Sequence, residues 1–461
     1  MLFSSAEFLF FFAAVLALHR VLRWRRALIL VASYGFYASW NPPFVLLLAY
    51  TTLLDYVVGR RLEVTEGRGA RRALLGASLL GNLGVLAYFK YVNFLLDVLA
   101  QAGLAEAATL RPFRVSASIP LGISFYTFQS LSYAVDVYRR QIPACRSAAD
   151  FFLFVSFFPH LVAGPILRAD ELLPQIRSNR PADARQVLTG VELVLLGLFQ
   201  KVVVADNLSL LVDPVFEAPE RYAGPTLLLA AFAFVGQIYC DFAGYSTMAR
   251  GLASLLGYAL PVNFAYPLLA SDPVEYRRRW HITMGRWFRD YVYRPLGGDK
   301  GSRLRTAFNT FVTWSLFGLW HGANWTFLFW GMYQGAILAG YRLLRSLGRL
   351  PRPGPATTAA GYVVMPLILC LSSVFFRSAD MATAHRMLGR IATGASGEGA
   401  AMGWVVFLAV LYAAHWASYL WYREGALFRA GWPARLAWVG AMLAVLVIGA
   451  GSGQPFYYFQ F

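Results

Sequence analysis

Two histidines in polar or glycine-rich surroundings are the candidates for acid–base chemistry in this sequence. The first, His321, lies in LFGLWHGANWTFLFWG, where it separates two apolar runs. Gly318 and Gly322 beside it would leave room for a substrate, and Asn324 supplies an amide that could orient the ring or donate to a developing oxyanion. A histidine in this setting can act as a general base, but one that only packs in an apolar interior would give the same pattern.

The second histidine, His281, lies in the densest polar segment, residues 271–305, which is rich in arginine, tryptophan and tyrosine. Interleaved basic and aromatic residues are typical of an amphipathic stretch at the level of the lipid headgroups. Alternatively, some of the arginines receive the phosphates of a cytosolic cofactor such as coenzyme A, because arginine binds phosphate through two parallel hydrogen bonds. The candidates for this binding are Arg277, Arg278 and Arg279.

The other polar residues in apolar stretches favour structural roles. Asp241 is expected to pair with a basic residue or to cap a broken helix, as intramembrane carboxylates commonly do. His160, in SFFPHLVAGPILR, either lines a cavity or belongs to a kinked helix. The cysteines form no CxxC pair, so the sequence gives no sign of a disulfide framework or of a metal site. The phosphate-binding loops and serine-nucleophile motifs of soluble enzymes are absent as well.

The composition places these residues in a membrane protein. The 461 residues are 58% hydrophobic and 14% charged, with a mean hydropathy of +0.51, whereas soluble domains are roughly 45 to 50% apolar. The net charge of +17 would suggest a nucleic-acid partner in a soluble chain. Here the basic residues form short runs between apolar stretches, as cytoplasmic loops do, so nucleic-acid binding is only a remote alternative.

Hydropathy predicts an all-α, polytopic integral membrane protein with about nine to twelve transmembrane helices. Pro120, Pro159 and Pro165 interrupt apolar runs, which predicts re-entrant or interfacial helices around an internal cavity or tunnel. No linker or soluble segment is evident, so residues 1–461 are expected to form a single membrane domain.

The short basic loops set the predicted topology. The loops at 23–26, 59–72, 139–146 and 342–352 are assigned to the cytoplasm because positive charge marks cytoplasmic loops. The segment 377–402 is also positively charged, yet counting spans from the preceding loop puts it outside. The two criteria conflict at this point.

Five segments in order resemble the membrane-bound O-acyltransferase (MBOAT) family, in particular its bacterial polysaccharide branch of alginate O-acetyltransferases. The resemblance covers nearly the whole chain, from MLFSSAEFLFFF to PFYYFQF, with a motif-rich core at about 119–340. The five segments are LGISFYTFQSLSYAVDVYRR, FFPHLVAGPILR, DFAGYSTMARGLASLLGY, RRWHITMGRWFRDYVYRPLGG and GLWHGANWTFLFWG.

The resemblance implies roles for both histidines. His321 matches the catalytic histidine of the family, and His281 matches the histidine of its second motif. The family fold implies a tunnel between a cytoplasmic donor entrance and an outward acceptor face. One departure stands out, since Tyr276 replaces the tryptophan that usually precedes the Arg-Arg-Trp-His motif.

The expected activity is O-acetyl transfer in the inner membrane of a Gram-negative bacterium. Acetyl-coenzyme A is expected as a donor substrate, with no tightly bound cofactor and no metal. His321 would act as general base, and His281 and Asn324 would orient groups or stabilise the oxyanion. The acceptor is a polysaccharide hydroxyl or a periplasmic partner acetyltransferase. Transfer of D-alanyl or another acyl group to a cell-wall polymer, and transport of an acyl group or saccharide without catalysis, remain alternatives.

Overall fold

Helices are the regular structure of this protein. The computed structural model describes residues 1–423, 431–449 and 456–457, and within them an isolated β-bridge joins Tyr222 and Glu398. The chain packs as two compact units, Met1–Val194 with Ser246–Pro261 and Leu195–Tyr245 with Val262–Phe461. The all-α class is confirmed, and a single functional domain over 1–461 stays a prediction.

Nineteen α-helices occur in the described part of the chain, and π-helical turns occupy Phe199–Ala205 and Arg289–Tyr293. The helices are α1 (Ala6–Val21), α2 (Arg25–Ala38), α3 (Pro42–Val64), α4 (Arg68–Gln101), α5 (Ala107–Leu110), α6 (Ile123–Tyr138), α7 (Ala148–Ser156), α8 (Ala169–Ser178), α9 (Ala184–Leu198), α10 (Asp206–Glu217), α11 (Gly224–Leu255), α12 (Pro273–Arg279), α13 (Ile282–Phe288), α14 (Arg303–His321), α15 (Trp325–Ser346), α16 (Pro355–Arg377), α17 (Met381–Thr393), α18 (Met402–Arg423) and α19 (Trp432–Gly449).

Six helical stretches among the described residues are long and apolar enough to cross a membrane, and the polytopic membrane class is confirmed. They are Pro42–Val64, Arg68–Gln101, Ala184–Glu217, Gly224–Leu255, Pro355–Arg377 and Met402–Leu420. The predicted nine to twelve spans included shorter apolar runs. Helices α1, α2 and α6 have only 14 to 16 residues, fewer than the roughly 20 that one span needs.

In the first unit, the three basic loops predicted to be cytoplasmic lie at the same end. The Arg71 guanidinium donates to the carbonyl of Tyr138 at 2.6 Å, which ties the start of α4 to the end of α6. Arg26 pairs with Asp150 at the start of α7, with an N–O distance of 3.1 Å. These contacts agree with the assignment of all three loops to one side of the membrane.

The first unit also contains the predicted break in the helices. Residues 157–168 form no helix and are almost entirely buried. His160 Nε2 lies 2.7 Å from Gln129 Oε1. Gly122 has φ +73°, and a Cβ there would lie 2.7 Å from the Leu161 carbonyl oxygen, so a side chain could not fit. Irregular backbone is enclosed by protein here, as predicted.

The second unit buries a group of three charges. Lys201 Nζ lies 2.8 Å from a carboxylate oxygen of Asp206 and 2.8 Å from one of Asp241, and all three side chains are 2% exposed. The Phe456 ring lies 4.7 Å from the ammonium. The expected pairing of Asp241 with a basic residue is confirmed, and removing either partner would leave a buried charge uncompensated.

Helices α14 and α15 form a hairpin in which the two backbones touch. A Cβ at Gly318 would lie 2.3 Å from the Phe327 carbonyl oxygen, and one at Gly331 would lie 2.5 Å from the Trp314 carbonyl oxygen. Glycine is required at both positions because any side chain would push the helices apart. Small residues that allow close helix contact are typical of membrane interiors, where no hydrophobic effect drives helices together.

The hairpin places segment 342–352, predicted to be cytoplasmic, and segment 377–402, where the two topology criteria conflict, at opposite ends of the second unit. At one end Arg342 donates to the hydroxyls of Tyr293 and Thr310 at 3.1 and 3.2 Å. At the other end Asn324 donates to the Ala379 carbonyl at 2.9 Å. Segments 342–352 and 377–402 therefore lie on opposite sides, as span counting indicates.

The positive charges of segment 377–402 are engaged in protein contacts, which explains why they mislead a charge-based topology. Arg377 pairs with Asp213 at 2.9 Å. Arg390 donates to the carbonyls of Tyr222 and Ser396 at 2.9 and 2.7 Å. Arginines that bind protein carboxylates and carbonyls in this manner stabilise the segment, so their charge does not indicate a cytoplasmic loop.

We expect Gly331→Ala to destabilise the protein by about 1 to 3 kcal/mol, because overpacking against backbone cannot relax by side-chain rotation. Gly340→Ala is the matched control, since the same helix leaves open space there, and alanine should be neutral or stabilise by about 0.5 to 1 kcal/mol. Thermal unfolding of the detergent-purified proteins measures the difference. Equal stability of the two variants would contradict the role given to the glycine contact.

Single cysteines should report opposite sides at Gly69 and Gly399, two positions with open space around them. In a background without Cys145, Cys240 and Cys370, we expect an impermeant maleimide to label Gly399→Cys in intact spheroplasts. Gly69→Cys should react only after permeabilisation. Labelling of Gly69→Cys in intact spheroplasts would mean that the topology is inverted.

Candidate functional site

His321 ends helix α14 and is enclosed by aromatic rings. Its ring centroid lies 4.9 Å from that of Phe317, 4.8 Å from Trp320, 5.1 Å from Trp330 and 5.1 Å from Phe376. The residue is 4% exposed. The rings come from α14, α15 and α16, so the hairpin and one further helix build this environment.

A small pocket of about 40 Å³ adjoins His321. Its walls are mostly aromatic and aliphatic, with one polar side where the Gln334 amide donates to Ser372 Oγ at 3.0 Å. A pocket of this kind is apolar with a few polar groups that can orient a ligand. The other residues that line it are Phe234, Val235, Ile238, Phe242, Tyr276, Trp280, Trp330, Leu369, Ser373 and Phe376.

The glycines beside His321 do not make this pocket, so the role predicted for them is wrong. A Cβ at Gly322 would lie 2.2 Å from the Phe327 ring, and a Cβ at Gly318 would lie 2.3 Å from the Phe327 carbonyl oxygen. The space that the two glycines leave is filled by helix α15. Their small size serves the contact between the helices and leaves no room for a substrate.

Asn324 caps helix α15. Its side-chain oxygen accepts from the Thr326 N–H at 3.2 Å, and its amide nitrogen donates to the Ala379 carbonyl at 2.9 Å. Asn324 does not line the His321 pocket. Its role as an oxyanion donor stays a prediction, and capping is what its contacts provide.

His281 lies close to the pocket but behind its wall. It precedes α13 with φ +44°, and it is fully buried. Its ring meets Phe242 edge-on at 4.6 Å and lies 5.9 Å from the Trp320 ring. Burial, and then the charge of Arg277, lowers the pKa of His281 well below its usual value. A neutral ring in this position can orient the aromatic wall; its role in the reaction stays a prediction.

A second cavity, of about 980 Å³, lies at the opposite end of the hairpin. Its lining carries seven basic residues against the single acidic residue Asp299. Such a surplus favours an anionic ligand, and arginine suits phosphate in particular. The basic residues are Arg277, Arg278, Arg286, Arg289, Arg294, Lys300 and Arg342.

The three arginines predicted to bind phosphate have different surroundings. Arg278 lines the basic cavity and is exposed. Arg277 lines it too, half-buried, with its guanidinium 5.0 Å from the Trp314 ring centroid. Burial, and then the charge of Arg289, lowers its pKa to about 10. Arg279 does not line the cavity, and it pairs with Glu275.

One side of the basic cavity is held by a hydrogen-bonded cluster. The Tyr293 hydroxyl donates to Asp299 at 2.7 Å, and Arg342 pairs with the same carboxylate. Burial alone would raise the pKa of Asp299, but the bonds from Tyr293 and Arg342 outweigh it and lower the pKa. The carboxylate therefore stays charged and fixes Arg342 at the edge of the cavity.

Aromatic side chains lie between the basic cavity and the His321 pocket. Trp314 lines the basic cavity, and its ring lies 6.2 Å from that of Trp330, which lines the His321 pocket. Trp314 and His321 are seven positions apart, which corresponds to about 10 Å along α14. A molecule with its anionic part in the cavity would have to extend this far past the rings to reach the histidine.

Several lining residues were not predicted from the sequence. Tyr276 and Gln334 line the His321 pocket, and Arg286, Arg289 and Arg342 line the basic cavity. Tyr276 carried a signal because it departs from the motif that the chain otherwise resembles, and Arg286 and Arg289 carried one because they lie in the arginine-rich segment 271–305. Among the described residues no cluster of histidine, cysteine or acidic side chains could hold a metal ion.

The described residues thus combine helices able to span a membrane with a buried histidine beside a small apolar pocket and with a separate cavity lined mainly by basic residues. The chain belongs to the MBOAT family, the membrane-bound O-acyltransferases, whose model matches residues 17–379. The predicted family and enzyme class are thereby confirmed. As an acyltransferase, the protein requires both an acyl donor and an acceptor at its site.

Similar proteins act on different polymers. The chain is 39% identical to the probable alginate O-acetylase AlgI of Pseudomonas aeruginosa over 393 residues, 84% of this chain and 74% of that protein. It is 31% identical to the peptidoglycan O-acetyltransferase of Helicobacter pylori over 395 residues, 78% and 72% of the two chains. It is 27% identical to the teichoic acid D-alanyltransferase of Streptococcus thermophilus over 232 residues, 47% and 55%.

Proposed function

We propose that the protein transfers acetyl groups from cytoplasmic acetyl-coenzyme A to hydroxyls of an extracytoplasmic polysaccharide, alginate-like or another exopolysaccharide. It does so in the inner membrane of a Gram-negative bacterium, either directly or through a periplasmic acetyltransferase partner. The observation that carries the proposal is the placement of His321 and the basic cavity at opposite ends of the α14–α15 hairpin. Donor and acceptor can thereby approach from opposite sides.

The basic cavity is the place for the donor. Coenzyme A carries several phosphate charges, which match a lining of seven basic residues and one acidic residue. The cavity lies at the end of the hairpin that carries the loop 342–352, predicted to be cytoplasmic. A donor with its phosphates there and an extended arm would bring its thioester toward His321.

His321 is the group to move the proton. It takes the proton of the acceptor hydroxyl as the oxygen attacks the thioester carbonyl, and it returns that proton to the departing thiolate. The aromatic rings around it exclude water, which would otherwise hydrolyse the thioester. Gln334 lines the same pocket, and its amide is a further candidate donor to the oxyanion, besides His281 and Asn324.

The size and charge of the pocket favour acetyl over D-alanyl. A D-alanyl group brings an ammonium, and none of the residues that line the His321 pocket is acidic. A buried ammonium without a carboxylate partner is costly. The acetyl group is uncharged and avoids this cost. The acetyltransferases among the relatives also cover more of the chain than the D-alanyltransferase does.

His321→Ala should abolish most acetylation of the surface polymer, since general-base catalysis is typically worth 10² to 10⁴ in rate. His385→Ala is the matched control because its side chain is exposed and lies outside both cavities. The measurement is the ester content of purified polymer from cells with equal amounts of each variant. Near-normal acetylation with His321→Ala would instead support transport without catalysis.

Arg277→Gln and Arg278→Gln should each weaken donor binding, whereas Arg279→Gln, the neighbouring control outside the cavity, should not. Charge-assisted bonds to phosphate contribute about 1.5 to 3 kcal/mol, which is roughly tenfold to a hundredfold in affinity. Titration of a non-hydrolysable acetyl-coenzyme A analogue into detergent-purified protein measures the dissociation constants. Unchanged affinity in all three variants would leave these arginines with a role at the lipid interface only.

A further inference from the structure

The pocket beside His321 has room for only a few atoms. Its volume is about 40 Å³, and a cavity needs roughly 10 to 15 Å³ to hold one water molecule. The space therefore suits about three non-hydrogen atoms, the number in an acetyl group. A longer acyl chain would need further room in some direction.

Most of the side chains that line this pocket cannot move to enlarge it for a longer acyl chain. The Trp330 and Phe376 rings lie 5.2 Å apart, and the Phe234 and Phe376 rings lie 6.2 Å apart. All three side chains are buried, so moving one would open voids around the others. The polar wall is fixed by the hydrogen bond from Gln334 to Ser372.

A larger, mostly apolar cavity of about 510 Å³ lies behind one wall. Val235 of α11 and Leu369 of α16 line both this cavity and the His321 pocket. A side chain that borders two spaces forms part of the partition between them. Aliphatic side chains at these two positions are therefore what separates a three-atom pocket from a space more than ten times its volume.

We propose that Val235 and Leu369 set the length of the acyl chain that the enzyme transfers, by closing the His321 pocket to the larger cavity. The inference rests on the proposed function, in which this pocket holds the acyl group during transfer. The reaction is unchanged: the carbonyl–sulfur bond breaks, a carbonyl–oxygen bond forms, and the hydroxyl proton passes to the thiol. Shortening either side chain joins the two spaces and gives a longer chain a place to lie.

The test compares acetyl- and hexanoyl-coenzyme A as donors for the full-length protein in detergent. Thiol release is measured with an alginate oligosaccharide present, and in buffer alone, where water is the acceptor. We expect the wild type to use hexanoyl-coenzyme A at least about a hundredfold more slowly, since one methylene group alone can be worth about 10- to 200-fold. Leu369→Ala should raise the hexanoyl-to-acetyl ratio of rates at least tenfold.

Two further variants keep the test decisive. Val235→Ala is a smaller change that should raise the ratio even if Leu369→Ala does not fold. Leu229→Ala is the matched control, because Leu229 lines only the larger cavity, and it should leave the ratio unchanged. Similar wild-type rates with the two donors, or variants that release thiol from acetyl-coenzyme A with an unaltered ratio, would overturn the size limit alone. No thiol release by the wild type from either donor in the presence of the oligosaccharide would overturn direct transfer to a polysaccharide, and this inference with it.

Discussion

The direct backbone contact between α14 and α15 is the constraint on which the site depends. Gly318 and Gly331 leave no space for a side chain between the helices, so the two helices run together as a rigid pair. Their ends are thereby fixed, with His321 at one end and Arg342 beside Tyr293 and Thr310 at the other. The separation of His321 from the basic cavity follows from the length of this hairpin.

The aromatic layer between the two ends determines how the charges act on the site. Arg277 lies over the rings of Trp314 and Phe317, and Phe317 in turn meets His321 edge-on. Seven basic residues can therefore gather at the cavity while the histidine keeps an apolar environment. Under the proposed function this arrangement would meet two opposing needs, since phosphate recognition requires a wet, charged surface and acyl transfer requires the exclusion of water.

The sequence predicted features that depend on local patterns and missed those that depend on helix packing. Apolar stretches and basic loops indicated the membrane class, and the lone carboxylate Asp241 indicated an ion pair. Gly318 and Gly322 were misinterpreted because a glycine motif looks the same whether it admits a substrate or a neighbouring helix. Gln334 and Leu369 could not be found at all, since nothing in sequence shows that two helices bring them to His321.

The electrostatic surroundings of the two histidines suggest how the proton chemistry is divided. Burial is the main cause of the lowered pKa of His281, and the charge of Arg277 adds to it. An anion bound in the basic cavity would offset part of the arginine's effect but none of the effect of burial, which is the larger cause of the lowered pKa. The His281 ring lies behind Phe242 and Trp320 and lines neither cavity. His281 therefore contacts the aromatic rings near His321 and does not border the pocket itself, so any effect of His281 on the reaction would act through the position of those rings.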